Sequence, residues 1–305
     1  MPDLAPNLVP VLAAPTASGK TAAVLELARH LPVEVIAADA MTVYRGLDIG
    51  TAKPTVAERE QVPHHLVDVL EPDQPFSVAD FVKLAEAVIT DVRVRGKLPL
   101  VVGGNGFYIR ALTRGLPTVP AVDEAVQAGL WGRLEQEGLD ALNRELLRTS
   151  PKDAERAQRN PRRVVRALEI VQRTGKPPSA FGLTTPAFSY SKWALLPTMD
   201  VLRPRIERRT RAMFETGLVD EVKTVLTHYP ALATARQAIG YKEVAAYLQG
   251  DSTLEAAKAA VTLATVQYAK RQRTWFRKEP DTVRREALAG EVLGELRGWL
   301  EPFIE

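Results

Sequence analysis

Ala14, Pro15, Thr16, Ala17, Ser18, Gly19, Lys20 and Thr21 stand in a row near the start of this chain, and their order suits the binding of a polyphosphate. Several backbone N–H groups must converge on such an anion. That takes small residues that allow a tight turn, and Ala17, Ser18 and Gly19 are of that kind. Lys20 brings a mobile positive charge to the distal phosphates and Thr21 a hydroxyl to Mg²⁺, while a helix beginning here turns the positive end of its dipole toward the anion. The pattern commonly opens on glycine where this chain has Ala14, so the turn is expected not to need positive φ at that residue. Asp39 is the second candidate. At the end of a strand it can accept a proton from an incoming nucleophile, hold Mg²⁺ through water, or cap the turn that follows.

These residues need a scaffold that brings two loops to one edge. Leu8, Val9, Val11 and Leu12 read as a buried strand leading into the phosphate-binding run, and residues 22–31 are good helix formers. Further strands are predicted over 33–38, 65–69, 98–102 and 193–197. Helical stretches separate the first three of these, an alternation that gives a parallel core with ligands beyond the carboxyl ends of its strands. Ser77 and Asp80 have the spacing of a capping box. The helix they open runs to residue 95 with Phe81, Leu84, Ala85 and Val88 on its buried side. Strand 98–102 leads into Gly103, Gly104, Asn105 and Gly106, small residues that permit close backbone approach. Residues 118–185 read as an inserted helical subdomain, leaving 1–117 and 186–305 as a phosphate-loop core with carboxyl-terminal helices. The fold class expected is therefore α/β, a P-loop NTPase-like parallel sheet core with an inserted all-helical subdomain.

The 305 residues are 46% hydrophobic, enough for one large core or two smaller ones. No apolar run reaches about 18 residues and the amino terminus is not charged-then-apolar, so no membrane contact and a cytoplasmic location are expected. Absence of cysteine excludes a disulfide framework, a thiolate nucleophile and a cysteine zinc site. His30, His64, His65 and His228 lack metal-ligand spacing, and the adjacent pair would point to opposite faces of a strand. A net charge of +3 conceals strong local clusters. Between residues 148 and 176 the acids Asp153, Glu155 and Glu169 are outnumbered by nine cations, among them Arg156, Arg159, Arg162, Arg163 and Arg166. A second cluster, Arg203, Arg205, Arg208, Arg209 and Arg211, puts 205, 208 and 209 on one helical face. Lys270, Arg273 and Arg277, interleaved with Trp275 and Phe276, form the third. Beside a phosphate loop, three such clusters point to a polyanionic partner. No apolar strand ends in Asp-Glu, which argues against a mechanical ATPase and leaves small-molecule kinases and transferases.

Further segments carry a resemblance. They are residues 15–21; Asp39-Ala40-Met41 with Tyr44-Arg45; Asp48-Ile49-Gly50-Thr51-Ala52-Lys53-Pro54; Gly103-Gly104 with Tyr108; and Arg166-Ala167-Leu168-Glu169. Arg205-Ile206 with Arg209 and Met213, Gln237-Ala238-Ile239-Gly240-Tyr241-Lys242-Glu243, and Lys270-Arg271-Gln272 with Thr274-Trp275-Phe276 extend it. In this order, over nearly the whole chain, they resemble the tRNA dimethylallyltransferase family. The run from Asp48 to Pro54 is much more specific than any phosphate loop.

The resemblance implies transfer of a dimethylallyl group from dimethylallyl diphosphate to N6 of adenosine 37, beside the anticodon of tRNA. The loop formed by Ala14, Pro15, Thr16, Ala17, Ser18, Gly19, Lys20 and Thr21 would then bind diphosphate rather than ATP, with Thr21 helping to hold Mg²⁺. By the same similarity Asp39 is the general base, Thr16 contacts the diphosphate and Arg205 stabilises it as it leaves. Contacts to the anticodon stem-loop are implied for Asp39, Ala40, Met41, Thr42, Asn105 and Gln127, for Arg162, Arg163, Val164, Val165 and Arg166, and for Lys270, Arg273 and Arg277. A monomer is expected. Ala14, Ala40, Thr42, Asn105 and Gln127 depart from the family's usual Gly, Ser, Gln, Thr and Arg. Thr42 falls two heavy atoms short of the usual reach, which implies altered tRNA contacts. Runner-up readings are prenylation of free AMP or ADP, as in related adenylate isopentenyltransferases, and then a small-molecule kinase. The basic helices favour tRNA, since a free nucleotide needs no such surface.

Overall fold

The computed structural model describes residues 7–229 and 235–304. The chain forms two compact units, one of Met1–Thr113 with Ala187–Glu305, the other of Arg114–Pro186. Before the second unit come β1 (Leu8–Ala13), α1 (Lys20–Ala28), β2 (Val33–Ala38), α2 (Val56–Gln61), β3 (His64–His65), α3 (Val78–Val94), β4 (Leu98–Gly103) and α4 (Gly106–Arg114). The second unit holds α5 (Glu124–Glu137), α6 (Leu139–Thr149), α7 (Pro151–Ala157) and α8 (Pro161–Thr174). The chain then returns to the first unit with β5 (Ser189–Leu195), α9 (Met199–Glu215), α10 (Leu218–His228), α11 (Tyr241–Leu248), α12 (Leu254–Lys278), β6 (Thr282–Arg285) and α13 (Leu293–Leu300). Among the described residues no helix is long and apolar enough to cross a membrane.

The six strands form one parallel sheet in the order β3-β2-β4-β1-β5-β6. Side chains alternate between its faces, so each face needs its own apolar cover. Leu12 packs with Val24 and Leu27 of α1 and Leu296 of α13 on one side. Val9 and Val11 pack with Phe81, Ala85 and Ile89 of α3 and Leu112 of α4 on the other. These chains are essentially dry, and burying each leucine or isoleucine contributes roughly 2 kcal/mol. Away from the sheet, Leu202 and Ile206 of α9 pack against Val266 and Ala269 of α12.

Local departures from the sequence expectation have local causes. The expected strand 65–69 ends at His65, because Leu66 and Asp68 turn to φ of 61° and 56° and break the extended chain. Ser77 and Asp80 do form the capping box of α3, with Ser77 Oγ accepting from Asp80 N–H at 3.2 Å. The buried stripe of that helix, however, is Phe81, Ala85, Ile89 and Val92, while Leu84 is 39% exposed. The stripe drifts round the helix to stay on the sheet, and Leu84 falls off its edge. β6 was not foreseen: it is a short, half-exposed edge strand of Thr-Val-Arg-Arg with no apolar run.

The second unit is a small helical body around Leu130, Leu142, Leu146, Val164, Val165 and Leu168. Three of its four described helices, α5, α7 and α8, begin where the sequence supplies side-chain caps. Asp123, Ser150 and Asn160 each accept from a first-turn N–H, and Pro151 and Pro161 occupy first-turn positions that need no donor.

Candidate active site

Strands β2, β4 and β1 are neighbours, and their register sets Ala38 level with Gly103 and Gly103 level with Ala13. The residues that follow, Asp39, Gly104 and Ala14, therefore leave the sheet together at its carboxyl edge. Ala14 N–H donates to Gly103 O at 3.0 Å, which ties two of these exits.

The phosphate-binding run folds as a loop in which Ala17 and Gly19 take φ of 62° and 86°. Ala14 is not among the positive-φ residues and is fully buried, so the expected condition for an alanine there is met. Gly19 caps α1 without a side chain, which leaves the N–H groups of the first helical turn open to an anion. Two helices brace the loop. From α9, Arg205 Nε donates to Ala17 O at 2.7 Å and Arg209 Nη1 to Thr16 Oγ1 at 3.2 Å. From α12, the buried Gln272 accepts from Thr16 N–H through Oε1 at 2.9 Å and donates through Nε2 to Gly104 O at 2.9 Å. A side chain on residue 104 would place its Cβ 2.2 Å from that Nε2, so this bridge requires glycine there.

In front of the loop lies a cavity of about 370 Å³. Thr16, Lys20, Thr21, Asp39, Arg209 and Gln272 form its polar wall, and Val24, Val102, Ile206, Met213 and Val261 much of its apolar one. Asp39 is the one carboxylate among the lining residues. Its Oδ1 accepts from the N–H groups of Met41 and Thr42 at 2.8 and 3.3 Å, capping the turn. Oδ2 has no partner among the described residues. Of the three uses weighed from sequence, the cap is formed, and it occupies Oδ1 alone.

Burial and the neighbouring Arg209 guanidinium push the Lys20 ammonium down to about 8, against the pull of Asp39. Burial likewise lowers Arg209, and Asp39 raises it. Two cations and one carboxylate in this lining leave an excess of positive charge, the electrostatic complement of a diphosphate. Burial also lowers His64, which lines the cavity, while its neighbour His65 turns to Glu34 with Nε2···Oε2 of 2.7 Å.

The run from Asp48 to Pro54 supplies another wall through Gly50, Thr51, Ala52 and Pro54. Glu221 of α10 holds it: the N–H groups of Asp48, Ile49 and Gly50 donate to its carboxylate at 3.0, 2.7 and 2.9 Å, and Tyr241 Oη donates at 2.5 Å. Lys53, almost wholly buried, bonds Asp48, Asp68 and the carbonyl of Tyr44. The specificity of this motif is therefore architectural, since every charged member shapes the wall.

Thr16, Lys20, Thr21, Asp39, Ala40, Met41 and Thr42 come together around the cavity. Thr42 Oγ1 is buried without a hydrogen-bond partner among the described residues. Arg205 grips the loop backbone and does not line the cavity; Arg209, one turn on, does. Asn105 caps α4, accepting from Tyr108 N–H at 3.2 Å, one residue beyond the lining Gly104. On α12, Lys270 and Arg277 are exposed and Arg273 is half-buried.

In the second unit Arg162 and Arg163 are exposed at the start of α8, whereas Arg166 pairs with the buried Glu169 at 2.7 Å. Gln127 Nε2 donates to the same Glu169 at 2.8 Å. The side chains of Val164 and Val165 are 0% and 1% exposed in the core of this unit, which leaves only their backbone for the contact expected there.

Arg209, Gln272, Tyr268 and Glu221 were not picked out as site residues. Arg209 had a signal, being four residues from Arg205. Val261, Thr265, Tyr268 and Gln272 share the cavity-facing stripe of α12 at helical spacing, legible only once that helix is known to border the site.

Mg²⁺ favours hard oxygen ligands and keeps few protein ones, binding mainly through substrate phosphates. The donor set fits that habit: the Thr21 hydroxyl and the Asp39 carboxylate line the cavity, and no group of three His, Cys, Asp or Glu able to hold a metal occurs among the described residues.

A phosphate loop and a carboxylate at the carboxyl edge of a parallel sheet define a P-loop-type protein built to handle a phosphorylated ligand. Residues 42–279 match the family model of the IPP transferases, and the chain belongs to that family. It is 55% identical to the tRNA dimethylallyltransferase of Thermus thermophilus, over 97% of this chain and 95% of the relative. The crystal structure of the tRNA isopentenylpyrophosphate transferase of Bacillus halodurans, 38% identical, has a TM-score of 0.71 and covers 98% of this chain and 97% of its own. A eukaryotic dimethylallyltransferase acting on tRNA, 28% identical, has a TM-score of 0.77 and covers 96% of this chain and 77% of its own.

Proposed function

We propose that this chain transfers the dimethylallyl group of dimethylallyl diphosphate to the exocyclic N6 of adenosine 37 in tRNA, releasing diphosphate. The observation that carries this reading is a single cavity that joins a phosphate cradle, an apolar wall and one carboxylate with a free oxygen. Curated relatives that match over nearly the whole chain are named for this reaction.

The diphosphate rests on the N–H groups of the loop and the first turn of α1, with Lys20, Arg209 and Thr16 around it. Arg205 acts from behind by fixing the carbonyl of Ala17. The C1–O bond of the allylic substrate breaks with its electron pair going to the diphosphate. The N6 lone pair bonds C1, and the proton N6 loses passes to Asp39 Oδ2. Negative charge grows on the diphosphate as the bond breaks, so these fixed donors act most strongly in the transition state. The Thr21 hydroxyl would help to hold Mg²⁺ at the diphosphate, and the ion would supply positive charge that stabilises the leaving group. The apolar wall receives the five-carbon chain, and the target base must leave its stack to reach it. Arg162, Arg163, Lys270, Arg273 and Arg277 hold RNA phosphates. The reading needs only a monomer acting in the cytoplasm, where its substrate is.

Expression in a bacterium that lacks this tRNA modification tests the proposal. N6-dimethylallyladenosine should return at position 37 with the wild-type chain and not with Asp39→Asn; a strain that remains unmodified while making folded protein contradicts it.

A further inference from the structure

Heterolysis of an allylic C–O bond leaves positive charge on the dimethylallyl carbons, and the cavity is poorly furnished to stabilise it with charge. Its two lining cations, Lys20 and Arg209, repel a carbocation, and its single carboxylate, Asp39, is committed to N6. One side chain is of a different kind. Tyr268 of α12 is the only phenyl-type ring among the described residues that line the cavity. Burial, and after it the Asp39 carboxylate, raise its phenol well above the ordinary range, so the ring stays neutral. Gln272, one turn on and also lining the cavity, fixes Thr16 of the phosphate loop. Among the described residues the cation over the Tyr268 ring is Arg271, 5.8 Å from the centroid and outside the cavity lining.

We propose that Tyr268 is a further catalytic residue, its π face stabilising the allylic cation as the C1–O bond breaks and before the N6–C1 bond is complete. This rests on the dimethylallyl transfer proposed above. A neutral ring does so without capturing the electrophile, and a desolvated cation–π contact is of a size to matter.

The experiment is the single-turnover rate of label transfer from dimethylallyl diphosphate to unmodified tRNA at saturating substrates. Tyr268→Phe should stay within about threefold of wild type, because the ring and not the hydroxyl acts. A series in which the phenylalanine replacing Tyr268 carries one, two or three ring fluorines should lose rate steadily, by about 30-fold at the end. Affinities for both substrates should hold within about twofold, since the cation exists only in the transition state. Fluorinated variants that all react at the rate of Tyr268→Phe would overturn the proposal, because fluorine drains the π face without changing the packing. Tyr268→Leu reacting at the wild-type rate would do the same. Wild-type protein that transfers no label to tRNA at all would instead overturn the parent reading.

Discussion

Lys20 sits in the phosphate loop with its ammonium lowered to about 8 by burial and by Arg209. In the free protein it is then about 90% protonated at pH 7 and about 10% at pH 9. A bound diphosphate supplies the counter-charge that the empty cavity lacks and returns the ammonium to a higher value, so binding above pH 8 must draw in a proton. The sign follows: the charged form binds the anion, and affinity falls as pH rises. Between pH 7 and 9 the dissociation constant of dimethylallyl diphosphate should rise about tenfold, with uptake of about 0.9 proton per molecule bound at pH 9. Isothermal titration calorimetry at constant Mg²⁺, in buffers of different ionisation enthalpy, reads both quantities. Lys20→Arg keeps the charge over this range and should give a flat profile, while Lys20→Met should bind weakly at every pH. A wild-type affinity independent of pH, or a Lys20→Arg variant with the same decline, would refute the reasoning.

Asp39→Asn should slow single-turnover transfer by about 10²- to 10⁴-fold, while the amide oxygen still caps the turn and tRNA affinity stays within about twofold; weakened RNA binding with unchanged chemistry goes against the base assignment. Thr42→Val removes a buried hydroxyl that has no partner, so urea unfolding should show equal or about 1 kcal/mol greater stability, together with a raised KM for tRNA; a clear loss of stability would mean that the hydroxyl is satisfied in the free protein. Glu221→Ala strips acceptors from three backbone N–H groups and from Tyr241, and should cost about 3 to 5 kcal/mol in the same assay. A loss below about 1 kcal/mol would show that the wall of the cavity does not depend on that carboxylate.

The phosphate loop and Asp39 are legible in sequence because their chemistry is written in consecutive residues and strand ends. So is the parallel core, whose apolar strands alternate with helices. The cavity's far side is not legible in this way. Arg209, Tyr268 and Gln272 reach it from α9 and α12, helices whose register against the sheet depends on packing by Leu202, Ile206, Val266 and Ala269. Their i, i+4 spacing looks the same on any amphipathic helix. Val164 and Val165 show the converse: neighbours of Arg162 and Arg163 in sequence, they point into the helical core because a helix turns about 100° per residue. Glu221 lies some 170 residues from the loop it clamps, a pairing visible only in the fold.

The central claim is that one cavity joins the allyl group to a tRNA adenosine. Incubation with radiolabelled dimethylallyl diphosphate, Mg²⁺ and equal concentrations of unmodified tRNA and AMP, followed by digestion to nucleosides, tests it most directly. Label should be found in N6-dimethylallyladenosine derived from tRNA; label confined to AMP, or absent from both, would contradict the account.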